Sequence, residues 1–301
     1  MRLTRALAAS AAIVMTAVTA VGCSSDASAG SPTCPNGKIA FGIEPFEDPT
    51  KLKPAYQVLA DALEEKLDCP VELNVLEDYS AEVLAMQNGK LDLGQFGPLG
   101  YVFASERAGA EPLASFGLAD GKLSAYTAGI WVPKDSPIQS VKDLKGKDLA
   151  LGSVGSTSGD VLPRYALKQE GIEDADLKIN YAGGHPEAML ALTNGTVDAA
   201  QINSQTLATA KSEGTFDESK FRQIWKSEEI PNDPITVRGD APDEFKKAVE
   251  DALLNLETKD VEKVGAFLDV TPPGPLIKVT KETYKPLFDL AETMNLSEED
   301  V

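Results

Sequence analysis

Glu82-Val83-Leu84-Ala85-Met86-Gln87-Asn88-Gly89-Lys90-Leu91-Asp92-Leu93-Gly94-Gln95 has a counterpart in Glu187-Ala188-Met189-Leu190-Ala191-Leu192-Thr193-Asn194-Gly195-Thr196-Val197-Asp198-Ala199-Ala200-Gln201. From Asn-Gly onward the spacing of the two is identical; before it they differ by one residue. Each reads as a helix closed by Gly, which enters the left-handed region without a Cβ clash, and then a short strand. One such match is common local grammar. Two copies about one lobe length apart point to two similar α/β lobes. Asp78-Tyr79 and Gly183-Gly184-His185 then stand at equivalent helix starts, where ligand groups from facing lobes would converge on one cleft.

The flanking sequence keeps the alternation. Strands are expected at Lys38–Gly42, Val71–Leu76, Leu91–Phe96, Ala125–Val132, Leu149–Gly152, Leu177–Tyr181 and Val197–Ile202. Pro49–Leu67 places Tyr56, Leu59, Ala60, Leu63 and Leu67 at helical spacing, and further helices are expected at Ser80–Asn88, Asp160–Glu170 and Pro186–Asn194. Late helices follow at Pro242–Leu256, Val261–Leu268 and Lys281–Met294. Alternating strands and helices imply an α/β fold with mostly parallel sheets.

The segment richest in chemistry is Ser153-Val154-Gly155-Ser156-Thr157-Ser158-Gly159-Asp160-Val161-Leu162-Pro163. Pro163 lacks an N–H and is tolerated in a first turn, so the helix should begin near Gly159 or Asp160. Ser156, Thr157 and Ser158 then form the approach to a helix N-terminus, whose free N–H groups and dipole favour an anion without a cationic side chain. Simple capping by Ser158 or Asp160 is the plainer reading. His185 is the single histidine, placed after two glycines and before a helix. Asp233 lies in the turn Ile230-Pro231-Asn232-Asp233-Pro234, where a solvated Asx-turn is the default. Tyr126, Trp131 and Trp225 read first as core.

Composition narrows the class. The 301 residues are 43% hydrophobic and 25% charged, which is ordinary globular usage. Lys+Arg 28 against Asp+Glu 47 gives a formal charge of -19, a surface that repels nucleic acid. Arg2 and Arg5, the apolar run Ala6 to Val21 and Ala20-Val21-Gly22-Cys23 read as a removable leader, 1–22, followed by a polar tether, 23–35. The pattern resembles a lipoprotein signal that leaves Cys23 as the lipidated N-terminus, so the expected location is the outer face of the cytoplasmic membrane. Ordinary secretion is the alternative. Cys34 and Cys69 remain, each before a Pro and an expected strand. In an oxidising compartment they read as a disulfide, easily formed if the two strands are parallel neighbours. No metal-ligand spacing appears.

An enzyme is the reading from another class. Ser158, His185 and Asp233 could nominally form a hydrolase triad. A nucleophile elbow needs Gly-x-Ser-x-Gly, but Gly155-Ser156-Thr157-Ser158-Gly159 centres on Thr. No phosphate-binding loop or dinucleotide fingerprint is present, and no cofactor is expected.

Taken in order, Asp78-Tyr79, Tyr126 ahead of Val132-Pro133-Lys134-Asp135-Ser136-Pro137, Ser156-Thr157-Ser158-Gly159, Gly184-His185 and Ile224-Trp225-Lys226-Ser227 leading into Ile230-Pro231-Asn232-Asp233-Pro234-Ile235 form one set. In this set the chain resembles the phosphate/phosphite/phosphonate-binding proteins of ABC importers, the PhnD type. The resemblance implies a two-lobe type II periplasmic-binding fold with two hinge crossovers. One lobe would be 36–127 with 238–301 and the other 128–237. It also implies a small phosphorus-oxyanion ligand, permease and ATPase partners, a monomer and no catalysis. Tyr79 and Tyr126 resemble the tyrosines that contact the phosphonate, and Ser156, Thr157 and Ser158 resemble its hydroxyl and N–H cradle. His185 would donate to an oxygen, and Asp233 resembles a carboxylate that tolerates the anion only through a shared proton. Gln205 stands where members that take 2-aminoethylphosphonate have Glu, leaving phosphate, phosphite, methylphosphonate or another phosphonate as the expected ligands. A sensor presenting its ligand to a membrane receptor is the competing binding role.

Overall fold

The computed structural model describes residues 31–296; the leader, Cys23 and most of the tether lie outside the described residues. The first layer opens with β1 (Ile39–Ile43), in which Ile39, Phe41 and Ile43 are wholly buried. The Asp48 side chain accepts from the Thr50 N–H at 2.8 Å, and Pro49 fills the first helical position, where an N–H has no partner to lose. Helix α1 (Pro49–Leu67) then runs over the span its apolar period predicts. Next come β2 (Val71–Val75), α2 (Tyr79–Gln87), β3 (Leu93–Gln95), α3 (Pro98–Ala108) and β4 (Glu111–Leu118). The chain crosses through β5 (Ala125–Tyr126) into β6 (Gly129–Pro133), β7 (Asp148–Leu151), α4 (Leu162–Gln169), β8 (Lys178–Tyr181), α5 (His185–Thr193), β9 (Ala199–Gln201), α6 (Ser204–Ser212) and β10 (Phe221–Lys226). It returns through β11 (Ile230–Pro231) to β12 (Ile235–Val237), α7 (Asp243–Leu254), α8 (Thr258–Phe267), β13 (Pro273–Lys278) and α9 (Lys285–Met294).

Six strands pair in the order β13-β4-β12-β3-β1-β2, and five in the order β10-β6-β9-β7-β8. Each sheet contains a parallel trio, β2-β1-β3 or β8-β7-β9. Each trio is extended by an antiparallel strand that has just crossed from the other lobe, β12 or β6. The sheets are therefore mixed, because the crossover strands run against the trios. The internal echo is structural as well: Asp92 Oδ2 accepts from Ala40 N at 2.9 Å, and Asp198 Oδ2 accepts from Asp148 N at 3.1 Å. In both lobes the aspartate after Asn-Gly pins the third strand to the first. Apolar clusters cover both faces of each sheet, one set around Phe41 and Leu59 and another around Tyr101 and Val102 in the first. Leu149 and Ala200 lie on opposite faces of the second.

The single strand expected over 125–132 is broken. Ala125–Tyr126 pairs with β11, whereas Gly129–Pro133 pairs with β9 and β10, so Thr127 and Ala128 carry the chain between sheets. Ser204 Oγ accepts from Thr127 N at 3.1 Å, and Ser227 Oγ accepts from Ala128 N at 2.9 Å. These hydroxyls satisfy backbone groups that have left both ladders. The return crossing is also earlier than expected: Ile235–Val237 pairs with β3 and β4, so these residues belong to the first lobe, not to a second lobe ending at 237. Pro234 ends the crossover and releases the chain into the sheet.

The winding at the serine-rich segment starts at Thr157, not at Gly159 or Asp160. A single π turn, Thr157–Val161, precedes α4, and Ser156 is its cap. Elements missed from sequence include α3, whose residues Pro98 to Ala104 are all buried and so show no amphipathic period. The three-residue β12 is too short for alternation to register.

Cys34 and Cys69 are bridged, with Cα atoms 5.4 Å apart. The registration of Ile39 opposite Val71 in parallel strands brings their approaches together. Replacing both cysteines by Ser should lower the free energy of unfolding by roughly 3–4 kcal/mol, the loop-closure value for a loop of this length. Urea unfolding with and without the bridge measures it, as a shift of midpoint.

Candidate functional site

Between the two sheets lies a small, largely buried cavity. Its walls come from both lobes and from the hinge. Tyr79 is the first residue of α2 and His185 the first of α5, the equivalent positions of the echo, and both line it. Ser156, Thr157 and Ser158 line it from the π turn, Tyr126 from β5, Asp233 from the loop after β11, and Gln205 from α6. All eight residues expected at the site from sequence therefore meet in one place. Glu44, Phe46, Gly97 and Asn203 complete the lining and were not foreseen. The available signals were a charged residue directly after a buried strand, for Glu44, and an Asn directly before a helix, for Asn203.

The three hydroxyl residues are held by donors from the surrounding chain. Thr157 Oγ1 accepts from Leu99 N of the first lobe at 2.9 Å. Ser158 Oγ accepts from Asn203 Nδ2 at 3.0 Å, while Asn203 Oδ1 caps α6 by accepting from Thr206 N at 2.7 Å. With one lone pair occupied from behind, the hydroxyls of Thr157 and Ser158 turn their hydrogens toward the cavity side, where they meet the Tyr126 phenol. The N–H groups of Thr157 and Ser158, in the first turn, have no preceding carbonyl to bond. Ser156 differs, since its Oγ accepts from Gly159 N at 3.2 Å and lies 3.3 Å from His185 Nε2. Its role begins as the cap, displacing the Ser158 or Asp160 cap expected from sequence. Asp160 is instead buried, accepting from Gly155 N at 3.0 Å and from the Tyr181 hydroxyl at 2.9 Å.

His185 Nδ1 faces Gln201 Oε1 at 3.2 Å, so Nδ1 carries the hydrogen and Nε2 accepts from Ser156. Burial holds the imidazole neutral, pushed down to about 4 against the support of Gln201. In this tautomer His185 orients the Ser156 hydroxyl through Nε2. The arrangement also dissolves the hydrolase triad: His185 meets Ser156 rather than Ser158, and its other nitrogen meets Gln201 rather than Asp233.

Gln205 is committed as well. Its Nε2 donates to Asn232 Oδ1 at 2.9 Å and to Leu268 O at 3.3 Å, joining the second lobe to the hinge and to the first.

The electrostatics are unusual for a cleft built around a helix start. No Lys or Arg is found among the described residues that line it, while two carboxyls are. Burial raises Glu44 well above the usual carboxylate range, with Asp233 adding to the effect and the Gly97 backbone opposing it. Burial lifts Asp233 to about 7, against Gln95. Glu82, wholly buried behind the cavity, is also raised well above its ordinary range by burial and by both other carboxyls. The phenols of Tyr79 and Tyr126 are pushed far up, chiefly by burial, and stay neutral donors. Among the described residues there is no group of three potential metal ligands, and no helix long and apolar enough to cross a membrane.

Two lobes joined by paired crossovers, with a polar, largely buried cavity between them, are the architecture of a type II periplasmic binding protein. The family model for periplasmic phosphonate substrate-binding proteins of ABC transporters matches residues 41–284. The chain belongs to this family. It is 32% identical over 230 residues to the phosphonates-binding periplasmic protein of Escherichia coli, covering 75% of this chain and 68% of that one. It is 30% identical over 203 residues to the phosphate-import protein PhnD of Mycolicibacterium smegmatis, covering 64% and 63%. In fold it is similar to PhnD1 of Prochlorococcus marinus solved in complex with methylphosphonate, with a TM-score of 0.75, 22% identity, and coverage of 88% and 99%.

Two expectations follow. The folded state holds protons on Glu44, Glu82 and Asp233 that the unfolded chain releases, starting from ordinary values of 4.5 and 3.8. That stabilisation is complete below the ordinary range and is lost as pH rises through about 7 for Asp233; His185, depressed to about 4, acts in the opposite sense but is one group against three. Thermal unfolding should therefore show lower stability at about pH 8 than at about pH 5, and Glu82→Gln should flatten the decline. Separately, Gln205→Glu removes two donated bonds and sets a carboxylate against two oxygens. It should cost roughly 1–3 kcal/mol in denaturant unfolding, rather than simply install a site for an ammonium group.

Proposed function

We propose that the protein captures a small phosphorus oxyanion, among phosphate, phosphite and methylphosphonate, between its lobes and delivers it to the permease and ATPase subunits of an ABC importer. The observation that supports this most strongly is the meeting of Tyr79 and Tyr126 with Ser156, Thr157 and Ser158 around one small, largely buried cavity that also contains Asp233. Thr157 and Ser158 supply hydroxyl and N–H donors, the two tyrosines supply neutral phenols, and His185 holds Ser156 in place. The protein surrounds the anion with fixed dipoles that replace its water.

Asp233 sets the selectivity. A carboxylate next to an oxyanion repels it unless a proton lies between them, so Asp233 favours ligands that retain P–O–H and disfavours sulfate. Capture works by hinge closure about the paired β5 and β11, and the closed form is what the permease reads. Delivery to a permease places the protein outside the cytoplasmic membrane. Cys23, as a lipidated N-terminus, would hold a monomeric protein there through the 23–35 tether.

Calorimetric titration with phosphate, phosphite, methylphosphonate, 2-aminoethylphosphonate and sulfate tests this reading. At least one of the first three should bind tightly and sulfate should not. Ser158→Ala should weaken the tight ligand by about tenfold, the scale of one charge-assisted hydrogen bond. Asp233→Asn should narrow the gap between that ligand and sulfate. Absence of binding across the phosphorus compounds would overturn the assignment.

A further inference from the structure

Asp233 is not alone in the cavity. Glu44, directly after β1, lines the same space and is buried against Gly97, the cap of α3. A Cβ added to Gly97 would lie 2.8 Å from Glu44 Oε1, so the glycine is what lets the carboxyl occupy this position. The Gly97 N–H donates to the same carboxyl. Its other neighbours come from each element around the cavity. Tyr79 and Glu82 approach from α2, Tyr56 from α1, Tyr126 from β5 and Asp233 from the loop after β11. His185, across the cavity on α5, is neutral. None of these groups is a cation.

We propose that the two carboxyls of the cavity have opposite roles: Glu44 donates a hydrogen bond to the bound oxyanion as a neutral acid, and Asp233 accepts one from the ligand's P–O–H. The inference rests on the ligand class proposed above and adds a binding residue to that site. A carboxylic acid has one carbonyl oxygen that accepts and one hydroxyl that donates. The Gly97 N–H takes the accepting oxygen of Glu44, so the hydroxyl is the group left for the ligand. Its proton stays on Glu44 throughout, and none is drawn from the ligand or from solvent to supply it. A monoanion with a single P–O–H therefore meets both carboxyls, donating to Asp233 and accepting from Glu44.

Position decides which carboxyl takes which role. Glu82 is wholly buried outside the cavity lining, and neither of its carboxyl oxygens has a hydrogen-bond partner among the described residues. An ionised Glu44 would face Asp233 and Glu82 at once and, after binding, the anion as well. Coulomb repulsion is strong where water is excluded, and no Lys or Arg among the described lining residues offsets it. A neutral acid meets none of these penalties, and a carboxyl kept neutral by its surroundings is a donor suited to an oxyanion. The upward shift of Glu44, caused first by burial and then by Asp233, agrees with this role. Asp233, lifted by burial to about 7 against Gln95, is the easier of the two to ionise and so the one that accepts.

Calorimetry and infrared difference spectroscopy test this together. Inorganic phosphate, phosphite and methylphosphonate are titrated into the wild-type protein, and the tightest of the three is carried to Glu44→Gln and Glu44→Leu. The amide has nearly the shape of the acid and keeps an N–H donor, whereas Leu keeps none. Glu44→Gln should weaken binding by about threefold and Glu44→Leu by about thirtyfold, the scale of a hydrogen bond to a charged group. In the wild type the carbonyl band of a protonated carboxyl should move to lower frequency on adding that ligand and keep its intensity. The shift should be missing in Glu44→Gln. Loss of that band on binding, seen in the wild type and not in Glu44→Gln, would overturn the proposal, because Glu44 would have ionised. Tighter binding by Glu44→Gln would overturn it too, as the mark of a repelling carboxylate. Equal affinity in wild type and Glu44→Leu would do so while leaving the oxyanion site intact. The ligand-free thermal transition checks the folding of each variant, and should Glu44→Leu not fold, the infrared shift and its absence in Glu44→Gln decide. Silence toward all three compounds would overturn both this inference and the function on which it rests.

Discussion

The constraint on which the rest of the site depends is that the cavity between the lobes has been built without a cationic wall. Neutral donors stabilise a buried charge only when their hydrogens point at it before it arrives, since reorienting them would cost what the interaction returns. Here the orientation is produced from behind. The Leu99 N–H occupies a lone pair of Thr157, Asn203 occupies one of Ser158, and the Gly159 N–H occupies one of Ser156. Each hydroxyl is thereby left with restricted directions for its hydrogen. His185 takes the Ser156 hydrogen because Gln201 fixes its tautomer, so the histidine organises the cradle rather than supplying charge.

That arrangement couples the orientation of the hydroxyls to lobe closure. Leu99 belongs to the first lobe and Thr157 to the second, so the bond that aligns the Thr157 hydroxyl exists only when the lobes meet. Gln205 makes the same kind of bridge to Leu268, and Lys51 pairs with Glu213 across the mouth at 2.7 Å. The surface ion pair contributes little on its own. The buried amide bonds matter more, because leaving their partners unpaired in a dry interface costs more than the bond itself is worth. Around the hinge, Asn232 Nδ2 donates to Ser124 Oγ at 3.0 Å and to Leu268 O at 3.1 Å, and the Tyr284 hydroxyl donates to Asn232 O at 2.8 Å. Asp233 is the next residue. Its place in the cavity is therefore set by the same network that fixes the crossover.

The cleft was legible in the sequence for a physical reason. A helix start is marked by local chemistry, Asn-Gly by its turn and Pro163 by its missing N–H, so the positions of Tyr79, His185 and the serine cradle follow from short-range rules. Resemblance added Tyr126, Asp233 and Gln205; the local contexts of the first two suggest only core and turn, and that of Gln205 gives no signal. Glu44, Asn203 and Gly97 depend on which strand ends face each other across two lobes, and no local rule encodes that. The same limit explains the errors. Ala125–Val132 is uniformly strand-like, but its two halves pair in different sheets, and Ile235–Val237 reads as a continuation of the crossover although it pairs with β3 and β4. Alternation shows that a strand exists and is silent about its partner.

The carboxyl cluster is the part of the molecule most at odds with stability, and its placement indicates what it is for. A packed interior gains nothing from Glu82, with both oxygens unpartnered, when an aliphatic side chain of similar volume would avoid the desolvation penalty. Polar groups retained at such a cost gather where function needs them. In this chain they form a continuous layer from the cavity wall inward: Asp233 and Glu44 at the surface of the site, Glu82 with Gln95 and Tyr56 behind. Charges that would repel an anion if ionised become hydrogen-bond donors or proton-sharing acceptors when they are kept protonated, and the deeper carboxyl raises the cost of ionising the nearer one.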